Sequence, residues 1–551
     1  MKQSEDYPVL IFYAVSPVHM RNLNILSKRL EGWSFRVIYN AELKWFSPDK
    51  IGQYLYDCIP SVDARIPDAL WKGDVRAVIM STAQVRKLPF KLVKSALILG
   101  VPVIAIEEVH QLALHGKRIN NYMLPVDELL VASEIERREF ISLGYPADHV
   151  HSTGWPFYSG LISNKGRNTK DELRNRLGLI KGQPVATLSL LMSSRYECMS
   201  VENDYARRQL LSIVSEGLPS NYQLLVKGHP GEDPRGIEEF VKKYAPGAKL
   251  VERYSDIQDV LSITDVLFNQ GHSQVVMEAL LRGLPVIIVP VGVNTIFEGI
   301  LKDLIIRKPD DITRALSILD GDFMKAYASF FQTHLSIPPQ KALEFTVWRI
   351  TEFARTGKIR ESVEKLRELV LWEACFIGRD KIDDTLGLIK ERIGESSFEC
   401  RLERLVRGNA DYKDIVALLD WAGPGLRRNA IQSLWINTMV KRGLKPGEED
   451  LESVKDFPPL MMGGLFMRVV FRWGNYLYKC GYKQAAETLI CRLDNEFGHM
   501  NSVCNYVAGF PHCSGQIALT AYKLTPQPIL FLASKLWHYT KLDVIRRICR
   551  S

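Results

Sequence analysis

Short apolar runs rich in β-branched residues, each closed by a polar loop, recur through the first 290 residues. Pro8–Val15, Ser34–Tyr39, Arg76–Met80, Val101–Ile106 and Asp127–Ser133 have the length and near-continuous hydrophobicity of buried parallel strands. Helical spacing over Arg21–Leu30 and from Glu134 to about Leu143 fills two of the intervals. A second series begins with a helix over Asp171–Leu177 and a strand over Val185–Leu190. It continues through Leu224–Val226, Val266–Phe268 and Val286–Val289 to Ile305, with helices at Gln274–Leu281 and Asp310–Asp320. Such alternation predicts two parallel sheets with right-handed crossovers. Ser159–Lys170, rich in Gly, Asn, Ser and Lys, reads as the linker between them. Lys341–Ala354 predicts a long helix that returns to brace the first half, and beyond Gly357 strand patterns give way to helical spacing of Leu, Trp, Ile and Val.

Composition is compatible with that division. A chain of 551 residues exceeds one core and implies roughly two to four domains. With 46% hydrophobic and 24% charged residues it reads as an ordinary globular protein. No run approaches the ~20 apolar residues needed to cross a bilayer. The start, MKQSEDYPVLIFYAV, carries acidic residues ahead of a strand and no cleavage pattern, so a secretory signal is not expected. Nine scattered cysteines fit a reducing cytoplasm.

The net charge of +8 is uneven: from residue 341 onward, 32 Lys or Arg stand against 25 Asp or Glu. Lys535–Lys541 and Val544–Arg550 interleave basic with apolar and aromatic residues. A solvated helix end is the plain reading, and peripheral contact with anionic lipid at the inner face of the plasma membrane is the alternative. Without a recognised binding motif, nucleic acid is not an expected partner. Cys491, His499, Cys504, His512 and Cys513 match no zinc spacing, and no Asp-x-Asp stands at a strand end, so neither metal nor other cofactor is expected.

The most informative stretch is Tyr222–Pro290. Its three strands lead into loops along one sheet edge, where ligands of such folds bind. Gly271-His272-Ser273 opens directly into the helix Gln274–Leu281, and helix-start N–H groups beside a small turn attract phosphate. Glu278, one turn in, is placed to accept from ribose hydroxyls; pairing with Arg282 at i+4 on the helix surface is its alternative. In Lys227-Gly228-His229-Pro230, His229 is able to donate to a phosphate oxygen, with Lys227 as a nearby positive charge or a solvated strand end.

These elements in this order resemble the C-terminal domain of GT-B glycosyltransferases, which are built from two Rossmann-like halves. Lys-x-His-Pro is similar to bacterial sialyltransferases, capsule-sugar transferases and CDP-glycerol glycerophosphotransferases. Glu278-Ala279-Leu280 followed by Gly283-Leu284-Pro285-Val286-Ile287 is nearer to UDP-sugar transferases and UDP-N-acetylglucosamine 2-epimerases. The resemblance implies an N-terminal acceptor domain (1–158), a linker (159–170), a nucleotide-sugar domain (171–356) and an added all-α region (357–551). His151–Pro156 resembles the segment that closes the first half, and Asn475–Leu493 resembles one tetratricopeptide-type helix pair.

The resemblance also implies site roles. His229 would contact the nucleotide's phosphate and help it depart. Tyr254 and Ile257 fall in the loop that reads the base, and Arg195 would face the interdomain cleft near a phosphate. His19, between the first strand and first helix, matches the base of inverting UDP-sugar transferases, and an unperturbed pKa of ~6.5 suits proton abstraction. Glu107 and Glu108 occupy the loop where sialyltransferases and capsule transferases carry an acidic base; adjacent carboxylates diverge, so one at most faces the cleft, with Glu108 favoured. His19 and Glu108 also have binding or structural alternatives.

The expected activity is metal-independent transfer of a sugar from a UDP- or CMP-linked donor to a surface-polysaccharide or glycolipid acceptor. One alternative is an epimerase or CDP-glycerol phosphotransferase relative, although Ser16-Pro17-Val18-His19 replaces the epimerases' arginine-proline-glutamate loop and Gly271-His272-Ser273 replaces the phosphotransferases' double serine. The other is a non-catalytic nucleotide-sugar-binding scaffold.

Overall fold

The computed structural model describes residues 7–14, 17–39, 57–60, 70, 74–81, 87–107, 125–142, 144–159, 170–190, 200–229, 234–252, 255–271, 273–291, 297, 304–319, 323–356, 362–377, 382–394, 396–423, 425–447, 450, 473–474, 476–477, 479–486 and 488–489. The basic C-terminal stretch, the Cys/His group from Cys491 onward, and parts of the linker and of Asn475–Leu493 lie outside them.

The first half carries seven strands: β1 (Val9–Ala14), β2 (Ser34–Tyr39), β3 (Asp57–Pro60), β4 (Val75–Ser81), β5 (Val103–Ile106), β6 (Glu128–Val131) and β7 (Val150–Ser152). Every pairing is parallel, in the order β3-β2-β1-β4-β5-β6-β7. The second half repeats the plan with β8 (Val185–Ser189), β9 (Gln223–Lys227), β10 (Lys249–Leu250), β11 (Val266–Asn269) and β12 (Val286–Ile288), in the order β10-β9-β8-β11-β12. Each sheet therefore reverses direction once, between β1 and β4 and between β8 and β11. Crevices at such reversals, past the carboxyl ends of the strands, are where open parallel sheets bind ligands.

Burial on both faces explains the unbroken apolar runs. Leu10, Ile11, Val78, Val103, Leu129, Val185, Leu225, Leu267 and Ile287 are all at most 1% exposed. Helix α1 (Pro17–Ser27) follows β1, α2 (Lys87–Ile98) follows β4, and α3 (Glu134–Ser142) follows β6. In the second half α4 (Lys170–Arg176) precedes β8, with α5 (Ser200–Gly217), α6 (Pro234–Tyr244), α7 (Ile257–Ile263) and α8 (Gln274–Leu281) between strands. Helices α9 (Asp311–Leu319) and α10 (Phe323–His334) complete that half.

The helix expected to brace the first half does so. In α11 (Pro339–Thr356), Leu343, Ile350, Phe353 and Ala354 enter the core built around Leu10 and Phe12 of β1. Arg349 on α11 grips Glu128 of β6 with Nε at 2.8 Å and Nη2 at 2.9 Å. Gly154 passes under this helix with φ of 80°. A Cβ there would stand 2.8 Å from Ala342 Cβ and 2.9 Å from Ile337 Cβ, so both conformation and space require glycine. Trp155 and Tyr158 stack at 4.8 Å and, with Ala132, join the core of the second half.

After residue 357 the described elements are helical: α12 (Ser362–Trp372), α13 (Asp383–Ile393), α14 (Ser397–Arg407), α15 (Tyr412–Ala422) and α16 (Leu426–Arg442). They share one core with the first sheet, in which Leu366, Leu369 and Val370 of α12 belong with Val9, Ile11, Val78 and Met80. No helix among the described residues is long and apolar enough to cross a membrane.

Candidate functional site

The second sheet presents its reversal point as a hydrogen-bonded platform. Asn269, the last residue of β11, is fully buried. Its Nδ2 donates to the Ser189 carbonyl at 3.1 Å, crossing from β11 to β8, and its Oδ1 accepts from Gly271 N at 2.8 Å. Gly271 itself adopts φ of 89°, a conformation that suits glycine. Gln270 Nε2 donates to the Val291 carbonyl at 2.8 Å and ties the turn to the loop after β12. The turn is thus fixed to three strand ends before the helix begins.

Ser273 then caps α8: its extended backbone stands at φ −119°, and its Oγ accepts from Val275 N at 3.4 Å. The remaining first-turn amides and the positive end of the helix dipole lie at this carboxyl edge. His272, between the turn and the cap, lies outside the described residues, as do Tyr254, Arg195 and Glu108.

Strand β9 delivers cationic character to the same edge. Lys227 is 4% exposed, and its Nζ donates to the Gly228 carbonyl at 3.2 Å. Burial pulls its ammonium down from the ordinary 10.5 to about 8. Lys227 is therefore no solvated strand end. Gly228 is buried beyond it, and His229 is exposed past the strand.

Glu278 is 5% exposed, which removes it from the helix surface where an i+4 pair with Arg282 was the alternative. Its Oε2 accepts from Gln258 Nε2 at 2.6 Å. Gln258 sits in the first turn of α7, directly after Ile257, the half-buried first residue of that helix. Asp256 caps α7 and accepts from Gln258 N at 2.9 Å. Arg282 Nη1 reaches the Gln258 carbonyl at 3.3 Å. Desolvation lowers the Arg282 pKa, while the charges of Glu278, Asp256 and Asp259 pull it back up. Gln258 and Asn269 carry no motif signal, and only a polar residue ending an apolar run marks Asn269 in the sequence.

On the first sheet, His19 is placed differently from the sequence expectation. It lies within the first turn of α1, not in a loop before the helix. Pro17 opens this helix, where its missing N–H is harmless and its fixed φ is already helical. His19 lines an apolar recess with Phe12, Ala14, Asn22, Ile106 and Phe157. Glu107 follows β5 but turns inward: it is 3% exposed, and its Oε2 accepts from Ala132 N at 3.2 Å. The structure therefore groups Gly271 and Ser273 on one turn and Glu278 with Ile257's helix, Lys227 at the end of β9 with His229 just past it, and His19 beside the end of β5.

No protein-family model and no curated protein matches the chain. Among solved structures it is similar to UDP-GlcNAc 2-epimerase from Neisseria meningitidis bound to UDP-GlcNAc, with 12% identity and TM-score 0.45 over 63% of this chain and all (100%) of that one. Anabaena HepE in complex with UDP and glucose gives 12% identity and TM-score 0.43 over 64% of this chain and 100% of that one. The wall teichoic acid polymerase TagF gives 14% identity and TM-score 0.42 over 63% of this chain and 89% of that one. Two parallel sheets, each reversing once and joined by a helix that returns from the second half to the first, make this chain a GT-B-like α/β fold with a helical C-terminal region.

Proposed function

We propose that the protein is a glycosyltransferase that seats a nucleotide-activated sugar on the second sheet and an acceptor against the first. The observation that carries this reading is the platform at the β8/β11 reversal, where Asn269 fixes the Gly271 turn ahead of the Ser273-capped helix. Backbone donors at a helix start, with Lys227 and His229 at the neighbouring strand end, suit a phosphate group. Glu278 suits the ribose diol.

In the reaction, an acceptor hydroxyl attacks the anomeric carbon and the bond from that carbon to the phosphate oxygen breaks. The nucleotide leaves with the electron pair, stabilised by His229 and the α8 amides. The hydroxyl proton passes to a base. Glu107 is held on the Ala132 amide, so the base is assigned to Glu108 or His19. The acceptor is a surface glycan or glycolipid, and the site is cytoplasmic. No metal is required, since helix dipole and basic groups supply the positive potential.

The test is acceptor-dependent release of free nucleotide from UDP- and CMP-sugars. Loss of release in His229→Ala, with binding of the sugar nucleotide retained, supports the departing-group role. Release undiminished in that variant excludes it.

A further inference from the structure

We infer that the acceptor is a sugar with a methyl group beside its reacting hydroxyl, and that the recess next to His19 seats that methyl. The inference rests on the glycosyltransferase reading above and narrows its acceptor. The recess lies at the reversal of the first sheet, where open parallel sheets take their ligands. Ala14 ends β1, Ile106 ends β5, and Ile79 stands near the end of β4. Leu23 of α1 and Phe157, from the turn after β7, complete the wall. These five residues are at most 7% exposed, whereas His19 is half-buried, so the recess opens beside His19.

Size and polarity together fix what fits. The free volume is about 20 Å³. One water-sized group takes roughly 10–15 Å³ on this measure, so there is room for a single such group and for neither a ring nor a chain. Tyr13 and Met80 also border the recess but belong to the core on the opposite face of the sheet. His19 and Asn22 are then the polar side chains in a wall that is otherwise hydrocarbon. A sugar hydroxyl turned into that wall exchanges water for mainly apolar contact and is disfavoured. A methyl group gains by the same transfer.

Two kinds of sugar present a methyl in this way. In a 6-deoxyhexose the methyl is borne by one ring carbon and a hydroxyl by the next. In a 2-acetamido sugar the amide carries the methyl, and the neighbouring ring carbon again carries a hydroxyl. With the methyl seated, that hydroxyl stands at the mouth of the recess, on the side of His19.

The test uses benzyl glycosides in matched pairs, in the gluco and galacto series: 6-deoxyhexose against hexose, and N-acetylhexosamine against N-formylhexosamine. Nucleotide release from UDP- and CMP-sugars and saturation-transfer NMR are followed with the full chain. The methyl-bearing member of one kind of pair should have kcat/KM higher by about fourfold or more, the scale of burying one methyl-sized group. Its methyl protons should receive the strongest saturation, and the pair that responds tells the two sources apart. Ala14→Val fills the recess and should bring the ratio to near unity. Ile106→Val deepens it and should admit an ethyl group in place of the methyl, which keeps the test decisive where Ala14→Val fails to fold.

Ratios within about twofold in every pair overturn the inference and leave the nucleotide seat standing. So does a preference untouched by Ala14→Val with no ethyl admitted by Ile106→Val, or the absence of glycoside binding to nucleotide-loaded protein. Failure of every sugar nucleotide to bind the folded native protein overturns the reading and the inference together.

Discussion

Lys365 Nζ lies 2.7 Å from Asp127 Oδ2, and both side chains are fully buried. Lys365 belongs to α12, and Asp127 stands immediately before β6. The same Oδ2 accepts from Val103 N at 2.8 Å, so the carboxylate also joins the β6 entrance to β5. A fully buried ion pair thus joins α12 to the first sheet.

Replacing one partner leaves the other charge buried and uncompensated. Lys365→Met should destabilise the protein by about 3–5 kcal/mol, whereas Lys365→Met combined with Asp127→Asn should recover part of that loss. Thermal unfolding of the native protein and the two variants reads both effects. Equal melting points for the native protein and Lys365→Met would show that the pair is not desolvated.

Gly154→Ala tests the seam between the halves. The positive φ alone costs an alanine about 1–3 kcal/mol, and the 2.8 Å approach to Ala342 adds steric strain. The melting temperature should fall clearly, and Gly182→Ala, which has a positive φ but open space around it, should cost less.

Lys227 gives a pH signature. Its folded pKa of about 8 lies below the ordinary 10.5, so the unfolded chain holds more protons between those values. Stability should therefore rise as pH increases from about 8 towards 10.5, and the burial penalty should be fully present below about 8. Anion binding runs the other way, because the ammonium attracts phosphate only when charged. Affinity for a nucleoside diphosphate should weaken as pH passes upward through about 8. In Lys227→Met both dependences should flatten, as followed by melting and by titration at a series of pH values.

Ser273→Ala removes the cap of α8. Loss of the bond to Val275 N should cost about 1 kcal/mol of stability and weaken phosphate-bearing ligands. Ser273→Asp restores a capping oxygen but adds a negative charge at the phosphate position. It should recover the stability without recovering the affinity.

The strands of both sheets were legible because burial on two faces writes them as continuous apolar runs, as at Val185–Ser189 and Val266–Asn269. β3, with Asp57 and Pro60 in four residues, and β10, with two residues, are too short and too polar to show that pattern. The start of α1 moved because Pro17 begins a helix as readily as it stiffens a loop. At the site, Gly271, Ser273 and Glu278 could be read from a local turn-and-helix pattern. Asn269 to Ser189 and Gln258 to Glu278 could not, since those bonds span 80 and 20 residues and depend on which strands become neighbours. The core shared by α12 and the first sheet was hidden for the same reason: helical spacing identifies an apolar face and not what covers it.

The central claim is that the carboxyl edge of the second sheet binds a nucleotide diphosphate. Ligand-induced thermal stabilisation with UDP, CMP, CDP, GDP and their sugars tests it most directly. A ligand at 100 times its dissociation constant adds about 2.7 kcal/mol. The prediction is a marked rise in melting temperature with nucleotides of one base, lost in Glu278→Ala and retained in His229→Ala. Unchanged melting with every nucleotide, in protein shown to be folded, would contradict the account.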